Sequence, residues 1–364
     1  MQTIYKGIDH LSETVRGSRK ILLVAGRSYS YLDIKEEIDA LDVPVVRFDQ
    51  FTPNPLYEDV CKGVNLFNRE GCDTILALGG GSSIDVAKCI KLYCKMSNDR
   101  LYLEQDCCDT GIRLIAIPTT AGSGSESTRY AVIYFKGKKQ SVTHDSIIPD
   151  YAILEPKVLK TLPLYQKKCS MMDALCQAIE SWWSINSTDE SKELSKQSVE
   201  IITRCWHEYI FENTEKAAAA IMKAANLAGQ AICITQTTAP HAFSYKITSL
   251  YGLPHGHAVA VCLPGIWEYM SKHPEQCSDD RGYTYLQEVF IGIAHAMGCV
   301  NTADAIARFR MMLDDCQLTY PQSRHLADDI LELTRSVNPI RLSNNPVFLD
   351  EEAIGKLYAS ILNL

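Results

Sequence analysis

Residues 74–88, TILALGGGSSIDVAK, decide the fold of this chain: an apolar run enters three glycines, and two serines then open a helical pattern. Glycines let the backbone approach phosphate oxygens closely, while the free amides and the dipole of the following helix attract an anion. The stretch therefore predicts a strand, a pyrophosphate-binding turn and a helix. A tight turn without a ligand is the alternative for any glycine triplet.

Short β-branched runs lie on both sides of this stretch. Residues 20–26 (KILLVAG), 43–48 (VPVVRF) and 113–120 (RLIAIPTT) are apolar on both faces, as strands of a buried parallel sheet are. Segments with helical periodicity separate the first three of the four predicted strands. The alternation predicts an α/β dinucleotide-binding domain over residues 1–160, with its ligand at the carboxyl ends of the strands.

The character of the chain changes after Pro163. Long helical patterns, such as ESKELSKQSVEIITRCWHEYIF and EKAAAAIMKAANLAGQAICIT, predict an all-helical second domain over residues 161–364. Two domains also follow from length, because single cores stop growing at about 250 to 300 residues and this chain has 364. The predicted boundary is the turn-rich link at residues 155–163.

Composition narrows the class of protein. The formal net charge of -8 lacks the basic excess that a dedicated nucleic-acid binder needs. No apolar run predicts a membrane span or a signal peptide, so we expect a cytoplasmic protein that binds neither membranes nor nucleic acids. The 14 cysteines are scattered through apparent helices and strands, which indicates reduced, mostly buried thiols. Cys107 and Cys108 are adjacent, a spacing that favours neither a zinc site nor a disulfide.

The segment IPTTAGSGSE follows the fourth predicted strand. Its small polar residues, among them Thr119, Thr120 and Ser125, can line a nicotinamide and its ribose without blocking the space. Ordinary loops use the same residue types, so the segment gains meaning only beside the glycine turn.

The coenzyme's adenosine end should lie after the first strand. Gly26, Arg27 and Ser28 stand there, where a carboxylate would bind a ribose 2′-hydroxyl and repel a 2′-phosphate. The missing carboxylate, with a guanidinium and a hydroxyl nearby, favours NADP(H) over NAD(H). The alternative for Arg27 is a solvated surface charge.

Two segments of the helical half supply metal-ligand candidates. Asp173 and Gln177 are four residues apart and share a helix face, with Glu180 on the next turn. His241 begins a helical stretch, and His255 follows a proline within a turn. Carboxylate and imidazole donors suit Fe(II) or Zn(II), and incomplete protein ligation leaves room for a substrate oxygen. Taken singly, each of these residues is also explained by a buried hydrogen bond or a helix cap.

With these segments, the sequence resembles the iron-containing (group III) alcohol dehydrogenase family. Five motifs stand in family order: GGGSSIDVAK, PTTAGSGSE, residues 139–149, DALCQAIESWWS and LPHGHAVAVCLP. The resemblance implies a dehydroquinate synthase-like fold, catalysis in the cleft between the two domains, and a homodimer. The residues on family cofactor positions are Gly80, Gly81, Ser82, Asp85, Thr119, Thr120 and Lys139. The residues on family metal-ligand positions are Asp173, His241 and His255.

The chain departs from the family pattern at two positions. Gln177 stands where the family has a histidine ligand, and Tyr245 replaces another histidine. An amide oxygen is a weaker, neutral ligand, which shifts the expected preference toward Zn(II). A lost metal site is the alternative.

The segments HAFSYKITSLYGLPHGHAVAVCLP and DALCQAIESWWS are most similar to the phosphonoacetaldehyde reductase subgroup. The implied reaction is NAD(P)H-linked reduction of a small aldehyde, with a metal held by Asp173, Gln177, His241 and His255 polarising its oxygen. Tyr245 and His257 are both candidates for relaying the proton to the product. The candidates for anchoring a phosphonate are Arg129, Lys246 and Arg341, with surface or interdomain charges as the alternative.

Two other functions stay open, and two further relatives of the fold fit the sequence less well. A glycerol, diol or hydroxy-acid dehydrogenase shares the two-domain plan, whereas a dehydroquinate synthase needs a pocket rich in lysine and arginine that we do not find. A maleylacetate reductase, which is metal-free, would not need the metal-ligand candidate Asp173. A cofactor-binding protein that has lost its metal belongs to a different functional class. This alternative stays open because Gln177 stands where the family has a histidine ligand.

Overall fold

The computed structural model describes residues 2–362, which form two compact units that divide after Leu162. The first unit is α/β and the second is helical, which confirms the predicted fold class. The strands of the first unit are β1 (Thr3–Lys6), β2 (Ile21–Ala25), β3 (Val45–Phe48), β4 (Thr74–Gly79), β5 (Arg113–Pro118), β6 (Tyr130–Phe135), β7 (Lys138–Thr143) and β8 (Tyr151–Leu154). Its helices are α1 (Leu11–Thr14), α2 (Lys35–Asp39), α3 (Tyr57–Glu70) and α4 (Gly81–Tyr93).

Six strands form a parallel sheet in the order β1–β8–β5–β4–β2–β3, and β6 and β7 form an antiparallel hairpin. Ile75 of β4 pairs with Leu22 of β2 on one side and with Leu114 of β5 on the other. Every residue of β2 and β4 is buried, which explains their continuous apolar sequences. Edge strand β1, with mostly exposed side chains, and the polar strand β7 gave no such pattern and were not predicted.

The chain runs from β2 outward to β3 and returns to β4 on the other side of β2. The loops after β2 and β4 therefore leave the carboxyl edge of the sheet in opposite directions, the point at which open α/β sheets bind ligands. Helices α3 and α4 pack closely near this sheet, since a Cβ at Gly63 would lie 2.4 Å from Ile90 Cδ1. This packing fixes α4, whose N-terminus follows the glycine turn.

The second unit contains long helices packed around a central one. Its helices are α5 (Leu164–Trp183), α6 (Asp189–His207), α7 (Glu215–Thr235), α8 (Ala239–Tyr251), α9 (His255–Lys272), α10 (Tyr283–Ala296), α11 (Thr302–Asp315), α12 (Leu326–Ser336), α13 (Pro339–Leu342) and α14 (Glu351–Leu362). Helix α5 is buried along most of its length and contacts α6, α7 and α9. Within the described part of this unit, extended pairing is limited to a bridge between Cys277 and Val347.

One close contact between α9 and α5 brings the predicted metal-ligand residues of this unit together. Gly256, at the start of α9, lies so close to α5 that a Cβ there would be 2.1 Å from the carbonyl oxygen of Cys169 and 2.8 Å from Asp173 Cβ. Only glycine permits this approach. The first residue of α9, His255, is thereby held beside Asp173.

Helix α7 is long and apolar enough to cross a membrane, judged by length and composition alone. However, most of its apolar stretch is buried inside the protein, which is typical of a core helix. The cysteines are less buried than we predicted: seven of the 14 are buried, and Cys107 and Cys108 are exposed.

Candidate functional site

The glycine turn lies between β4 and α4. Gly79 ends β4 with a φ of 151°, and a Cβ there would lie 2.2 Å from Ser83 Oγ. A Cβ at Gly80 would lie 3.3 Å from the Thr120 side chain, and one at Gly81 would lie 3.0 Å from Ser123 Oγ. The loops after β4 and β5 therefore lie against each other, and side chains in the turn would close the space at the α4 N-terminus.

Asp85 joins this turn to its neighbours. Its carboxylate accepts hydrogen bonds from Ser125 Oγ at 2.6 Å and from the Val132 amide at 3.0 Å. Burial raises the pKa of Asp85, whereas the positive charges of Lys88 and Lys139 lower it. Asp85 therefore holds α4, the loop after β5 and the hairpin together, which makes it a support of the turn in this structure.

The remaining predicted cofactor residues lie around the same carboxyl edge. The amide of Thr119, which is buried, donates to the Gly79 carbonyl at 3.0 Å. Ser82, in the first turn of α4, is half-buried. Arg27 and Ser28 are exposed in a short 3-10 helix that follows Gly26.

Sequence reasoning missed Arg47, which reaches this edge from β3. Its Nη2 donates to the Gly26 carbonyl at 2.8 Å and its Nε to the Ala25 carbonyl at 3.3 Å. The guanidinium also lies 5.0 Å from the centre of the Tyr29 ring and 3.4 Å from Asp49. An arginine within the otherwise apolar run VVRF was the sequence signal.

The candidate metal ligands of the helical unit come together. One donor atom from each of Asp173, His241 and His255 lies within 4.8 Å of the others. Asp173 Oδ1 is 3.5 Å from His241 Nε2 and 4.0 Å from His255 Nε2. Donors about 2.1 Å from a tetrahedral ion lie about 3.4 Å apart, so these spacings suit one ion. The His255 side chain is 42% exposed, so the cluster is open on one side.

The hydrogen-bond partners of the His241 ring show whether the triad suits a metal ion. Its Nδ1 lies 2.5 Å from Glu180 Oε1, and its Nε2 is buried without a hydrogen bond. A carboxylate that holds one ring nitrogen and leaves the other to a cation is the usual support of a metal-bound histidine. Burial lowers the pKa of His241, but the carboxylates of Glu180 and Asp173 outweigh it and raise the pKa to about 9. The donors therefore fit a divalent cation, whose charge would take the place of a proton.

Glu180 is the second residue that sequence reasoning did not assign. It is fully buried, and its Oε2 accepts hydrogen bonds from the Thr238 amide at 2.7 Å and from Thr238 Oγ1 at 3.0 Å. Its spacing from Asp173 and Gln177 on one helix face was the available signal. Gln177 itself is 3% exposed, one turn beyond Asp173 on α5.

Tyr245 and Arg341 lie near the triad. The Tyr245 ring is nearly parallel to that of His255, with an interplanar angle of 11° and centres 5.9 Å apart. Burial raises the pKa of Tyr245, whereas a hydrogen bond with the Arg341 guanidinium lowers it. Both residues are half-buried.

Three other predicted residues make different contacts. His257 lies 2.8 Å from the Tyr165 hydroxyl through Nδ1 and 2.9 Å from a backbone carbonyl through Nε2. Lys246 pairs with Glu332 at 2.5 Å. Arg129, in the α/β unit, pairs with Asp145 at 3.2 Å. The structure therefore places Tyr245 beside His255 and Arg341 beside Tyr245, whereas these three side chains have other partners.

The iron-containing alcohol dehydrogenase family matches residues 4–156, and the C-terminal part of the Fe-containing alcohol dehydrogenase family matches residues 168–360. The chain is 31% identical to the phosphonoacetaldehyde reductase of Streptomyces viridochromogenes over 298 residues, which cover 78% of this chain and 75% of that protein. It is 29% identical to aldehyde-alcohol dehydrogenase 2 of Entamoeba histolytica over 83% of this chain, but spans only 37% of that protein.

Solved structures show the same fold. An iron-containing alcohol dehydrogenase from Thermococcus thioreducens has a TM-score of 0.89 at 23% identity and covers 99% of this chain and 98% of its own. A sulfoacetaldehyde reductase from Bifidobacterium kashiwanohense, in complex with NAD+, has a TM-score of 0.83 at 25% identity and covers 100% of this chain and 97% of its own.

Proposed function

This chain belongs to the iron-containing alcohol dehydrogenase family of oxidoreductases, and on that premise we propose that it reduces a small aldehyde to its primary alcohol with NAD(P)H and a divalent metal. The observation that supports this most strongly is the triad of Asp173, His241 and His255, with Glu180 behind His241. A metal-binding protein without catalysis would not need the glycine turn of the other unit, which suits a pyrophosphate.

When bound, the divalent ion supplies a Lewis acid for the aldehyde oxygen and the nicotinamide supplies the hydride. The chain's own residues place these groups. Asp173 contributes the negative charge that favours a cation, and Glu180 orients His241 so that Nε2 faces the cluster. Gln177, buried one turn along α5, is the proposed fourth donor. His255 borders the exposed side, where an aldehyde oxygen has access.

We assign the coenzyme to the carboxyl edge of the sheet. Gly80 and Gly81 let the pyrophosphate approach the α4 amides, and Thr119, Thr120, Ser125 and Lys139 surround that turn in our proposal. NADP(H) is preferred over NAD(H), because the stretch of Gly26, Arg27 and Ser28 after the first strand has no carboxylate to bind a ribose. The exposed Arg27 and the Arg47 guanidinium at the same turn support this preference.

Tyr245 is the better candidate for the proton relay. Its ring lies beside His255, and burial raises its pKa, which keeps the phenol protonated near neutral pH. Both ring nitrogens of His257 already have partners in Tyr165 and the Thr319 carbonyl. A proton donor must reach the developing alcohol oxygen, and the Tyr245 ring lies beside the proposed ligand His255.

The finer proposal is that the substrate is phosphonoacetaldehyde, reduced to 2-hydroxyethylphosphonate. Arg341 beside Tyr245 supports an anionic aldehyde, and the similarity to a phosphonoacetaldehyde reductase supports the phosphonate. The loaded metal is Fe(II) or Zn(II), with Gln177 favouring Zn(II). A cytoplasmic homodimer completes the proposal.

Steady-state oxidation of NADPH and NADH by zinc- or iron-reconstituted protein tests this function. The panel contains phosphonoacetaldehyde, succinic semialdehyde, glyceraldehyde and propanal, with metal-free protein as the control. We expect metal-dependent turnover, with the highest kcat/KM for phosphonoacetaldehyde and NADPH. Coenzyme binding without metal binding or turnover would instead identify a cofactor-binding protein that has lost its metal.

A further inference from the structure

We propose that Gln236 is a positioning residue that holds the Arg341 guanidinium beside the metal-ligand triad, where Arg341 binds the anionic end of the aldehyde. The inference rests on the proposed function and specifies its substrate class: an aldehyde with a terminal phosphonate or similar anion. Gln236 lies in no motif and on no family position; its backbone, its side-chain contacts and the turn that it occupies distinguish it.

The backbone of Gln236 is unusual. It ends α7 with φ 62° and ψ 179°, a conformation that glycine adopts readily and that a side chain disfavours. The Gln236 amide donates to the Ile232 carbonyl at 2.8 Å, and its carbonyl accepts from Thr235 Oγ1 at 2.8 Å. A turn of this shape would accept glycine at lower cost, so the glutamine side chain needs a separate explanation.

The side chain supplies that explanation. Gln236 Oε1 accepts hydrogen bonds from Arg341 Nη1 at 2.7 Å and from Asn344 Nδ2 at 3.4 Å. Asn344 Nδ2 also donates to the Thr237 carbonyl at 3.0 Å, which joins the segment after α13 to the same turn. Arg341 lies in the four-residue helix α13, whose N-terminus is capped by Asn338. These contacts fix the direction of the guanidinium.

The guanidinium is held next to a neighbour of the triad. It forms a hydrogen bond with the Tyr245 side chain, whose ring is nearly parallel to that of His255 with centres 5.9 Å apart. The next residues of the same turn serve the metal ligands, because Thr238 donates two hydrogen bonds to Glu180, which holds His241. The turn at residues 236–238 therefore supports both the proposed metal ligand His241, through Glu180, and the Arg341 guanidinium.

A guanidinium in a fixed orientation suits a phosphonate, because its planar donors match two oxygens at once. The other candidate cations are placed less favourably. Lys246 already pairs with the carboxylate of Glu332, and Arg129 pairs with Asp145. Arg341 donates to the amide oxygen of Gln236, a neutral partner that orients the guanidinium.

The test compares Gln236→Gly and Arg341→Met with the double variant. Gln236→Gly removes Oε1 and relieves the backbone, so we expect an unchanged or higher Tm. The KM for phosphonoacetaldehyde should rise about tenfold, as for a lost hydrogen bond to a charged group, while the KM for propanal stays within about twofold. Arg341→Met should raise the first KM further, and adding Gln236→Gly to it should have no additional effect.

Two controls separate positioning from general strain. Gln317 is a second glutamine with positive φ, 55°, at the end of α11, and Gln317→Gly should change neither KM. Gln236→Met keeps the side-chain length without the oxygen and should reproduce the KM split of Gln236→Gly. A parallel rise of both KM values in either Gln236 variant would overturn the proposal.

Calorimetric titration with ethylphosphonate, which cannot be reduced, gives a readout independent of turnover. We expect binding to the zinc-loaded protein, about tenfold weaker binding to Gln236→Gly and no measurable binding to Arg341→Met. If this pattern holds although no aldehyde is reduced, the proposed function fails and the anion site stands. If propanal is reduced but ethylphosphonate does not bind, the anion site fails and the proposed function stands.

Discussion

The two candidate sites are built in opposite ways. In the α/β unit, the turn of Gly80 and Gly81 is continuous in sequence, and its shape depends on the absence of side chains. In the helical unit, Asp173, His241 and His255 come from three helices, and their side chains are the site. We therefore expect coenzyme binding to weaken when side-chain atoms are added to the glycine turn. Metal binding should instead weaken when a ligand atom of the triad is replaced by a different one.

The largest expected effect is that of Asp173→Asn, which removes the charge of the triad while keeping its size. We expect kcat/KM to fall about a thousandfold or more, since the metal supplies several kcal/mol of transition-state stabilisation. Bound metal should fall well below one ion per chain, whereas the Kd for NADPH should not change. Exposed Asp189 on α6 offers a matched control, Asp189→Asn. Full metal content in Asp173→Asn would show that metal binding does not depend on this carboxylate, contrary to the contrast drawn between the two sites.

The next effect concerns Glu180, which touches the proposed ligand His241 rather than the metal. Glu180→Gln should weaken metal affinity about 10- to 100-fold, as loss of a histidine-orienting carboxylate does. Competition with a chelator measures this, and Glu193→Gln at an exposed position of α6 is the control. Unaltered affinity would show that Glu180 only satisfies buried donors.

The reverse experiment adds atoms to the glycine turn. Gly81→Val places a side chain where a Cβ would already lie 3.0 Å from Ser123 Oγ. The KM for NADPH should rise about tenfold, a loss of roughly 1.4 kcal/mol of binding, while metal content stays the same. Gly265→Ala in α9, where a Cβ would lie 3.8 Å from Ser360 Oγ, should change neither quantity. A normal KM in Gly81→Val would remove the turn from the coenzyme site.

The smallest expected effect is on coenzyme choice. Arg47→Met removes the guanidinium that binds the Gly26 carbonyl. The ratio of kcat/KM for NADPH to that for NADH should fall about fivefold or less, because partly exposed charges contribute about 1 kcal/mol at most. An unchanged ratio would leave Arg47 with a purely structural role at the turn.

The same contrast explains how much the sequence could predict. The glycine turn and strands such as β2 and β4 follow from local patterns, because a buried parallel strand is apolar on both faces. The spacing of Asp173 and Gln177 predicts a shared helix face. The hairpin of β6 and β7 was not predicted because β7 is polar and only one of its six residues is buried.

The rest of the site depends on tertiary structure. Glu180 is in line with Asp173 on α5, but its contact with His241 requires α8 to pack there. Nothing in the sequence indicates a positive φ at Gln236, since glutamine rarely adopts one. Arg47 acquires its partners only when β3 lies beside β2.

The most direct test of the metal site is X-ray absorption at the zinc or iron edge of the reconstituted protein. We predict one ion per chain with only nitrogen and oxygen donors at about 2.0–2.2 Å, two of them imidazoles. Burial raises the pKa of the thiols of Cys169 and Cys176, and the nearby charge of Asp173 raises it further. Both sulfurs are therefore close to the proposed site. A sulfur donor at about 2.3 Å, or no bound ion, would contradict a site formed by Asp173, His241 and His255.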